Sequence, residues 1–316
     1  MSRLFRDVDG GCVSPRGSVV CIGAFDGLHL GHQALVGRVA GRAHEFGLEA
    51  AVLSFEPLPR EFFGGERAPA RLTLPRERIE GLRALGVDLI GLLRFNAALS
   101  AMPAEDFVRQ VIGRRLNARE VWVGPDFRFG RGRAGDVELL RRLGAGLGFE
   151  ARVMDQVDIG GSRVSASRIR ELLGEGELDV VAELLGHTYR ISGRVTRGRQ
   201  LGRRLGYPTA NLRLGGKVPA LRGIFASRVH GIGPVPLPAV SSLGTRPTVD
   251  GAEPLLETHV FDFEGDLYGR RIGVEFVAKL RDEQRFDNLD ALVAQMDRDA
   301  AAARQLLNTS NPRAAQ

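Results

Sequence analysis

Lysine, cysteine and long apolar runs are all scarce in these 316 residues. Lysine occurs only at Lys217 and Lys279, so nearly all the positive charge is arginine, and the net charge is +6. The basic side chains are dispersed among acids, as in RELLGEGELD. A nucleic-acid binder concentrates its charge on a patch or stripe, and aromatics at 6% leave few base-stacking platforms. Nucleic acid is therefore not the expected partner, whereas the guanidinium fork suits phosphorylated small molecules. Cys12 and Cys21 are too few for a disulfide framework or a zinc site and are expected as reduced thiols. No apolar stretch reaches the roughly 18 residues of a membrane span. The opening MSRLFRDVDGG lacks the apolar run of a secretory signal, so a cytoplasmic protein is expected. No GxxxxGK[ST] stretch occurs, which excludes a Walker-type phosphate loop.

What is present falls into two patterns. In the first half, apolar runs (SVVCIGAF, EAAVLSFEP, DLIGLLRF, REVWVG, EARVMDQ) alternate with helix-like stretches. One of these, HQALVGRVAGRAHEFG, repeats Leu35, Val39, Ala43 and Phe46 at helical spacing. Strands that are apolar throughout are buried on both faces, which implies a parallel sheet covered by helices. In the second half TYRISGRVTRG, GIFASRVHGI, PLPAVSSLG, LLETHVFDF and RIGVEFVAKL are β-like and separated by turns. The expected fold is an α/β Rossmann-like domain followed by a small antiparallel β-barrel with a C-terminal helix. The boundary is placed near Gly186, giving domains over 1–186 and 187–308 and a frayed tail over 309–316.

Three loops, GAFDGLHLGH, SFEPLPREF and VGPDFRFG, follow three different strands of the first half. Open parallel sheets bind ligands at the carboxyl ends of their strands, so the three loops share one expected site. In GAFDGLHLGH the glycines Gly23, Gly27 and Gly31 permit a sharp turn and close approach to a ligand. His29 and His32 could ligate a metal, meet phosphate or cap a helix. The HxxH spacing lacks a third ligand at a usual distance, and the start of a helix is a natural phosphate site.

GAFDGLHLGH resembles the HxGH signature of the nucleotidyltransferase superfamily. In its longer GxFDGxHxGH form it is similar to the bacterial bifunctional riboflavin kinase/FAD synthetases. SFEPLPREFF, VGPDFRFGRGRAG, RVSASRIRELLGEG, GRQLGRRLGYPTANL and LETHVFDFEGDLYG follow in the order of that family. The resemblance implies an N-terminal module that joins the AMP part of ATP to FMN, releasing pyrophosphate, and a barrel that phosphorylates riboflavin. It assigns Gly23, Phe25, Asp26, His29, Gly31, His32, Ser165, Ser167, Arg168 and Arg170 to ATP, with His29 and His32 catalytic. Asp126, Phe127 and Arg128 would face the flavin phosphate and ring. In the barrel, Gly198, Gly202 and Gly206 with Thr209 and Asn211 would cradle ATP, and Thr209 and Asn211 would hold Mg²⁺. Glu257 would be the catalytic base, and Arg281 and Phe286 would cover the flavin. Riboflavin, FMN and ATP are thus the implied small-molecule partners.

The sequence departs from the family pattern at three places. Ala166 takes a position usually occupied by a hydroxyl residue, Leu58 one often occupied by histidine, and Ser242 one more often asparagine. The first departure leaves open a riboflavin kinase with a weak or specialised adenylyltransferase half. An adenylyltransferase with a regulatory barrel is a further alternative, against which LETHVFDF and GYPTAN argue.

Overall fold

The computed structural model describes residues 2–198, 202, 205–215, 218–248 and 251–309. The tail expected over 309–316 thus lies, from residue 310 onward, outside the described residues, as do parts of GRQLGRRLG. The chain forms two compact units, Met1–Pro69 with Pro75–Ser165, and Ala70–Leu74 with Ala166–Gln316.

The first unit is built on β1 (Arg3–Phe5), β2 (Ser18–Ile22), β3 (Glu49–Glu56), β4 (Leu89–Arg94), β5 (Ala118–Val123) and β6 (Glu150–Val153). They form one parallel sheet in the order β1-β4-β3-β2-β5-β6. The five apolar runs account for β2 to β6; β1 is an additional edge strand drawn from the polar N-terminus. Every residue of β2 is buried. Alternate side chains divide between two cores, Val20 and Ile22 into one and Val19 and Cys21 into the other, as a strand covered on both faces requires.

Helices α1 (Leu30–Phe46), α2 (Pro59–Gly64), α3 (Pro75–Ala84), α4 (Ala97–Ala101), α5 (Ala104–Phe107) and α6 (Val137–Leu147) connect the strands. After α5 the chain continues as a π-helical stretch over Val108–Arg115. A short hairpin of β7 (Asp158–Ile159) and β8 (Ser162–Arg163) ends the unit. Helix α1 buries Leu35, Val36, Val39 and Ala43. Phe46, expected on that buried face, is 52% exposed and lies beneath the Arg42 guanidinium, 4.3 Å from its ring. A guanidinium over the ring face covers part of an aromatic at a helix end and leaves the rest to solvent.

In the second unit α7 (Ala166–Glu175) and α8 (Leu178–Leu185) precede a closed barrel. Its strands are β9 (Arg190–Thr196), β10 (Ala210–Arg213), β11 (Gly223–His230), β12 (Leu237–Thr248), β13 (Gly251–Val260) and β14 (Arg271–Arg281). All neighbours are antiparallel, and β9 closes on β10. Val195, Leu212, Leu243 and Leu256 are buried and paired across adjacent strands, so they share the inner layer. The last helix, α9 (Leu289–Thr309), covers Ala226 and Phe261 with Ala300, Ala303 and Leu307. Strand β10 arises from the stretch read as a phosphate cradle, so Asn211 stands on a strand instead of in a loop.

Candidate functional site

In the first unit the chain steps from β2 to β3 to β4 and then crosses to β5 on the other side of β2. The strand order reverses between β2 and β5, which is where parallel sheets of this kind hold ligands. The loop after β2 carries GAFDGLHLGH, and the loop after β5 carries Asp126, Phe127 and Arg128. The first loop is tightly wound. Gly27 has φ +86°, and Phe25 and Leu28 are also left-handed at φ +49° and +44°, a conformation non-glycine residues seldom adopt. Packing holds them there: Phe25 is fully buried, and Leu28 fits against Gly81 so closely that a Cβ there would come within 2.4 Å of it. Asp26 is buried as well. Phe25, expected at ATP, therefore contributes its side chain to packing.

His29 caps α1. Its Nδ1 accepts a hydrogen bond from the His32 backbone N–H at 3.3 Å, so the neutral ring carries its proton on Nε2. The His32 ring stacks on it at 3.7 Å and 16°, and Phe25 tilts against His32 at 5.1 Å. Gly31 makes room, because a Cβ there would sit 3.2 Å from the His29 ring. Burial, reinforced by the positive potentials of His29 and Arg78, holds the His32 pKa well below the usual histidine range. His32 is neutral near pH 7, and its Nδ1 is buried without a hydrogen-bond partner among the described residues. The capping role is thus real, and it coexists with a donor at His29 Nε2. Among the described residues no three His, Cys, Asp or Glu side chains are grouped to hold a metal ion.

Asp126 is exposed and paired with Arg163 at 2.8 Å. Arg128 pairs at 3.1 Å with Asp136, whose carboxylate accepts from Leu139 N–H as the cap of α6. Phe127 stacks on Phe129 at 5.3 Å. Ser165 ends the first unit; Ser167, Arg168 and Arg170 lie on α7 in the second, where Arg170 donates to the Ala70 carbonyl.

The barrel places its candidate residues differently. On β13, Leu256, Thr258 and Val260 are buried and face inward, while Leu255, Glu257 and His259 face outward. Phe261, one residue beyond the strand, continues the outward set but is buried beneath α9. Asn211 of β10 is directly opposite Glu257, and Ser242 of β12 flanks Glu257 from the other side. Facing residues on one side of an antiparallel pair have Cβ atoms about 4.5–5.5 Å apart, so the amide and carboxylate are neighbours. Asn211 Nδ2 donates to the Thr209 carbonyl at 3.3 Å. A Cβ at Gly198 would stand 2.8 Å from the Asn211 amide, and one at Gly202 would stand 2.3 Å from the Tyr207 carbonyl. These two glycines therefore let backbone close on Asn211 and Tyr207, and Gly206 supplies a turn at φ +82°.

A cleft of about 480 Å³ lies between this outer wall and α9, reaching Glu257, Ser242, Arg281, Phe286 and Met296. A second cleft of about 600 Å³ reaches Gly198, Phe263, Asp266 and Tyr268. Thr209 and Asn211 line both. At the mouth of the first, Arg281 grips Asp299 of α9 with Nη2 at 2.6 Å and Nε at 3.0 Å, and its guanidinium lies 5.8 Å from the Phe286 ring. Tyr207 donates to Asp297 of α9, and its pKa is pushed up to about 12 by burial and that carboxylate.

Residues 13–168 match the FAD synthetase family and residues 185–307 the riboflavin kinase family. The chain is 41% identical to the bifunctional riboflavin kinase/FMN adenylyltransferase of Escherichia coli (strain K12), over 98% of this chain and 99% of that protein. The chain belongs to the bifunctional riboflavin kinase/FMN adenylyltransferase family. The Pseudomonas fluorescens member is 43% identical over 92% of this chain and 93% of its own. A solved structure described as a macrolide-efflux protein from Streptococcus pneumoniae superimposes with a TM-score of 0.79 at 29% identity, covering 96% of this chain and 98% of that one.

Within this member of the family, two features of the first unit escaped the sequence analysis. Arg78 of α3 is fully buried and donates to the Ala24 and Phe55 carbonyls and the Glu56 carboxylate at 2.8–2.9 Å, tying together the chain ends that leave β2 and β3. Its position in PRERIEGLRALG has nothing to mark it apart from any surface arginine. The other is a chain of edge-to-face rings, Phe55, Phe62, Phe63 and Phe95, at the carboxyl ends of β3 and β4. Phe63 is 69% exposed and Phe62 39%. The paired aromatics of REFF were the available signal.

Proposed function

We propose that this chain makes FAD from riboflavin in two ATP-dependent steps, the kinase step in the barrel and the adenylyl step in the α/β unit. The functional modules are taken as residues 1–186 and 187–308. The observation that carries the kinase assignment is that Thr209 and Asn211 line two clefts at once, with Glu257 opposite Asn211. The first cleft has room for a flavin ring beside Glu257 and Phe286. The second takes ATP, with Gly198, Gly202 and Gly206 bringing backbone close to its phosphates. The Glu257 carboxylate accepts the proton of the ribityl 5′-hydroxyl as that oxygen attacks the γ-phosphorus, and ADP leaves with the electrons of the broken P–O bond. Arg281, fixed by Asp299, holds Phe286 over the flavin.

The family uses ATP together with a divalent metal. A hydroxyl at Thr209 and an amide oxygen at Asn211 are hard oxygen donors, which fit Mg²⁺ held by few protein ligands and by phosphates. When bound there, Mg²⁺ would neutralise charge on the transferring phosphate.

In the α/β unit an FMN phosphate oxygen attacks the α-phosphorus of ATP and pyrophosphate departs. His29 Nε2–H and neutral His32, with the amino end of α1 behind them, stabilise the charge that develops on the phosphates. Gly23, Gly31 and Asp26 shape that turn, and Ser165 is assigned to the triphosphate. Asp126, Phe127 and Arg128 are assigned to the FMN phosphate and ring, with the Phe62–Phe63–Phe95 patch as an apolar floor for the isoalloxazine.

Purified protein incubated with riboflavin, ATP and Mg²⁺ is expected to yield FMN first and FAD after it, resolved by chromatography. With His29→Ala the reaction should stop at FMN, and with Glu257→Ala no FMN should form. FMN without FAD in the parent protein would favour the kinase with a specialised second half; no flavin product at all would overturn the proposal.

A further inference from the structure

The kinase ligand residues sit at the end of GYPTAN, where the chain enters β10. Proline has no N–H, so Pro208 can be held only through its carbonyl. The Thr209 carbonyl is taken by Asn211 Nδ2. The Pro208 carbonyl is taken by His259, whose Nδ1 is 2.9 Å from it. A carbonyl only accepts, so the His259 ring carries its proton on Nδ1 in this contact. The ring is clamped edge-on between Tyr207, at 5.1 Å, and Phe261, at 5.7 Å. Tyr207 is in turn tied to Asp297 of α9.

His259 stands two residues after Glu257 on the outward face of β13, so one strand presents both side chains in the same direction. The peptide plane between Pro208 and Thr209 is fixed from the 208 side by His259, and the plane that follows is fixed by Asn211, the cross-strand partner of Glu257. We infer that His259 is a positioning residue of the kinase site: by holding the Pro208 carbonyl it sets where Thr209 stands relative to Glu257. This rests on the assignment of Thr209 and Asn211 to the metal–nucleotide and of Glu257 to the base. His259 needs no contact with substrate to do so, and its effect is felt in the binding of ATP more than in the chemical step.

The amide side chain distinguishes the two ring nitrogens. Asparagine places its N–H where Nδ1 stands, whereas glutamine reaches to the place of Nε2 and loses the bond. Riboflavin phosphorylation should be measured in His259→Asn, His259→Gln and His259→Ala, with ATP and riboflavin varied separately at fixed Mg²⁺. Loss of a hydrogen bond of this kind is expected to raise KM for ATP about tenfold in the Gln and Ala variants, while Asn stays within about threefold of the parent. KM for riboflavin should move little. FMN adenylylation by the same preparations shows that each variant chain is folded and active in its other half. Equal KM values for ATP in the Gln variant and the parent overturn the inference, as does a uniform fall of kcat in all three variants. Glu257→Gln run alongside separates the two levels: if it retains full kinase activity, the site assignment itself fails, whereas a dead Glu257→Gln beside a normal His259→Gln removes the positioning role alone.

Discussion

The two units solve the same problem, handling ATP phosphates, with opposite uses of their β-strands. In the α/β unit every strand residue of β2 is buried, so the sheet has no face left for chemistry. Groups that reach a ligand have to leave the sheet at its carboxyl ends, and the candidates His29 and His32 stand on a loop and at a helix start. In the barrel each strand has an inner face and an outer face, and the outer one carries Glu257, His259 and Asn211 directly. Loops can approach a ligand closely but must be held; here two left-handed non-glycine residues are kept in place by the core. A strand is already rigid and orders its side chains two residues apart, but it needs a helix laid over it to close a cleft.

The sharpest test of this contrast is to remove one group from each unit and measure both reactions in the same chain. Glu257→Gln is expected to slow riboflavin phosphorylation by about 10²–10⁴ and leave FMN adenylylation untouched. Coupled losses would mean that the two sites do not work independently. His29→Ala should cost about 10²–10³ in adenylylation with normal kinase activity. His29→Asn keeps a capping side chain but removes the Nε2 donor; if it restores the rate, capping alone explains His29.

A smaller effect tests how the helix closes the barrel cleft. Asp299→Ala frees Arg281 and with it Phe286, and riboflavin affinity, measured by equilibrium dialysis, should weaken about tenfold. Unchanged affinity would detach the Arg281–Asp299 pair from flavin binding. The smallest effect concerns pH. The folded-state pKa of His32 lies below that of the unfolded chain, about 6.5, so the unfolded chain takes up a proton that the folded one refuses. Stability of the first unit should therefore fall as pH drops below about 6.5, at up to about 1.4 kcal/mol per pH unit, until the folded-state pKa is reached. The single tryptophan, Trp122, lies in this unit and reports its unfolding by fluorescence. His32→Gln should flatten the slope between pH 6.5 and 5; an unaltered slope would assign the acid sensitivity elsewhere.

Much of this was legible in the chain of residues. Continuous apolar runs such as SVVCI, alternating with helix-like stretches, pointed to strands covered on both faces, and the turn-separated segments that follow pointed to an antiparallel structure. The glycines, histidines and helix start of GAFDGLHLGH were local signals, because a loop site is written in consecutive residues. Phe46 misled, since helical spacing does not reveal that a ring at a helix end can stay half exposed beneath a guanidinium. Tertiary structure alone decided the remainder. Strand register put Asn211 opposite Glu257 across residues far apart in sequence, and it brought His259 to the Pro208 carbonyl. Packing buried Arg78 and fixed it to two strand ends, and burial beside His29 kept His32 neutral. Periodicity is a property of neighbours along the chain and survives in the sequence; register and burial are relations between distant segments and exist only once those segments meet.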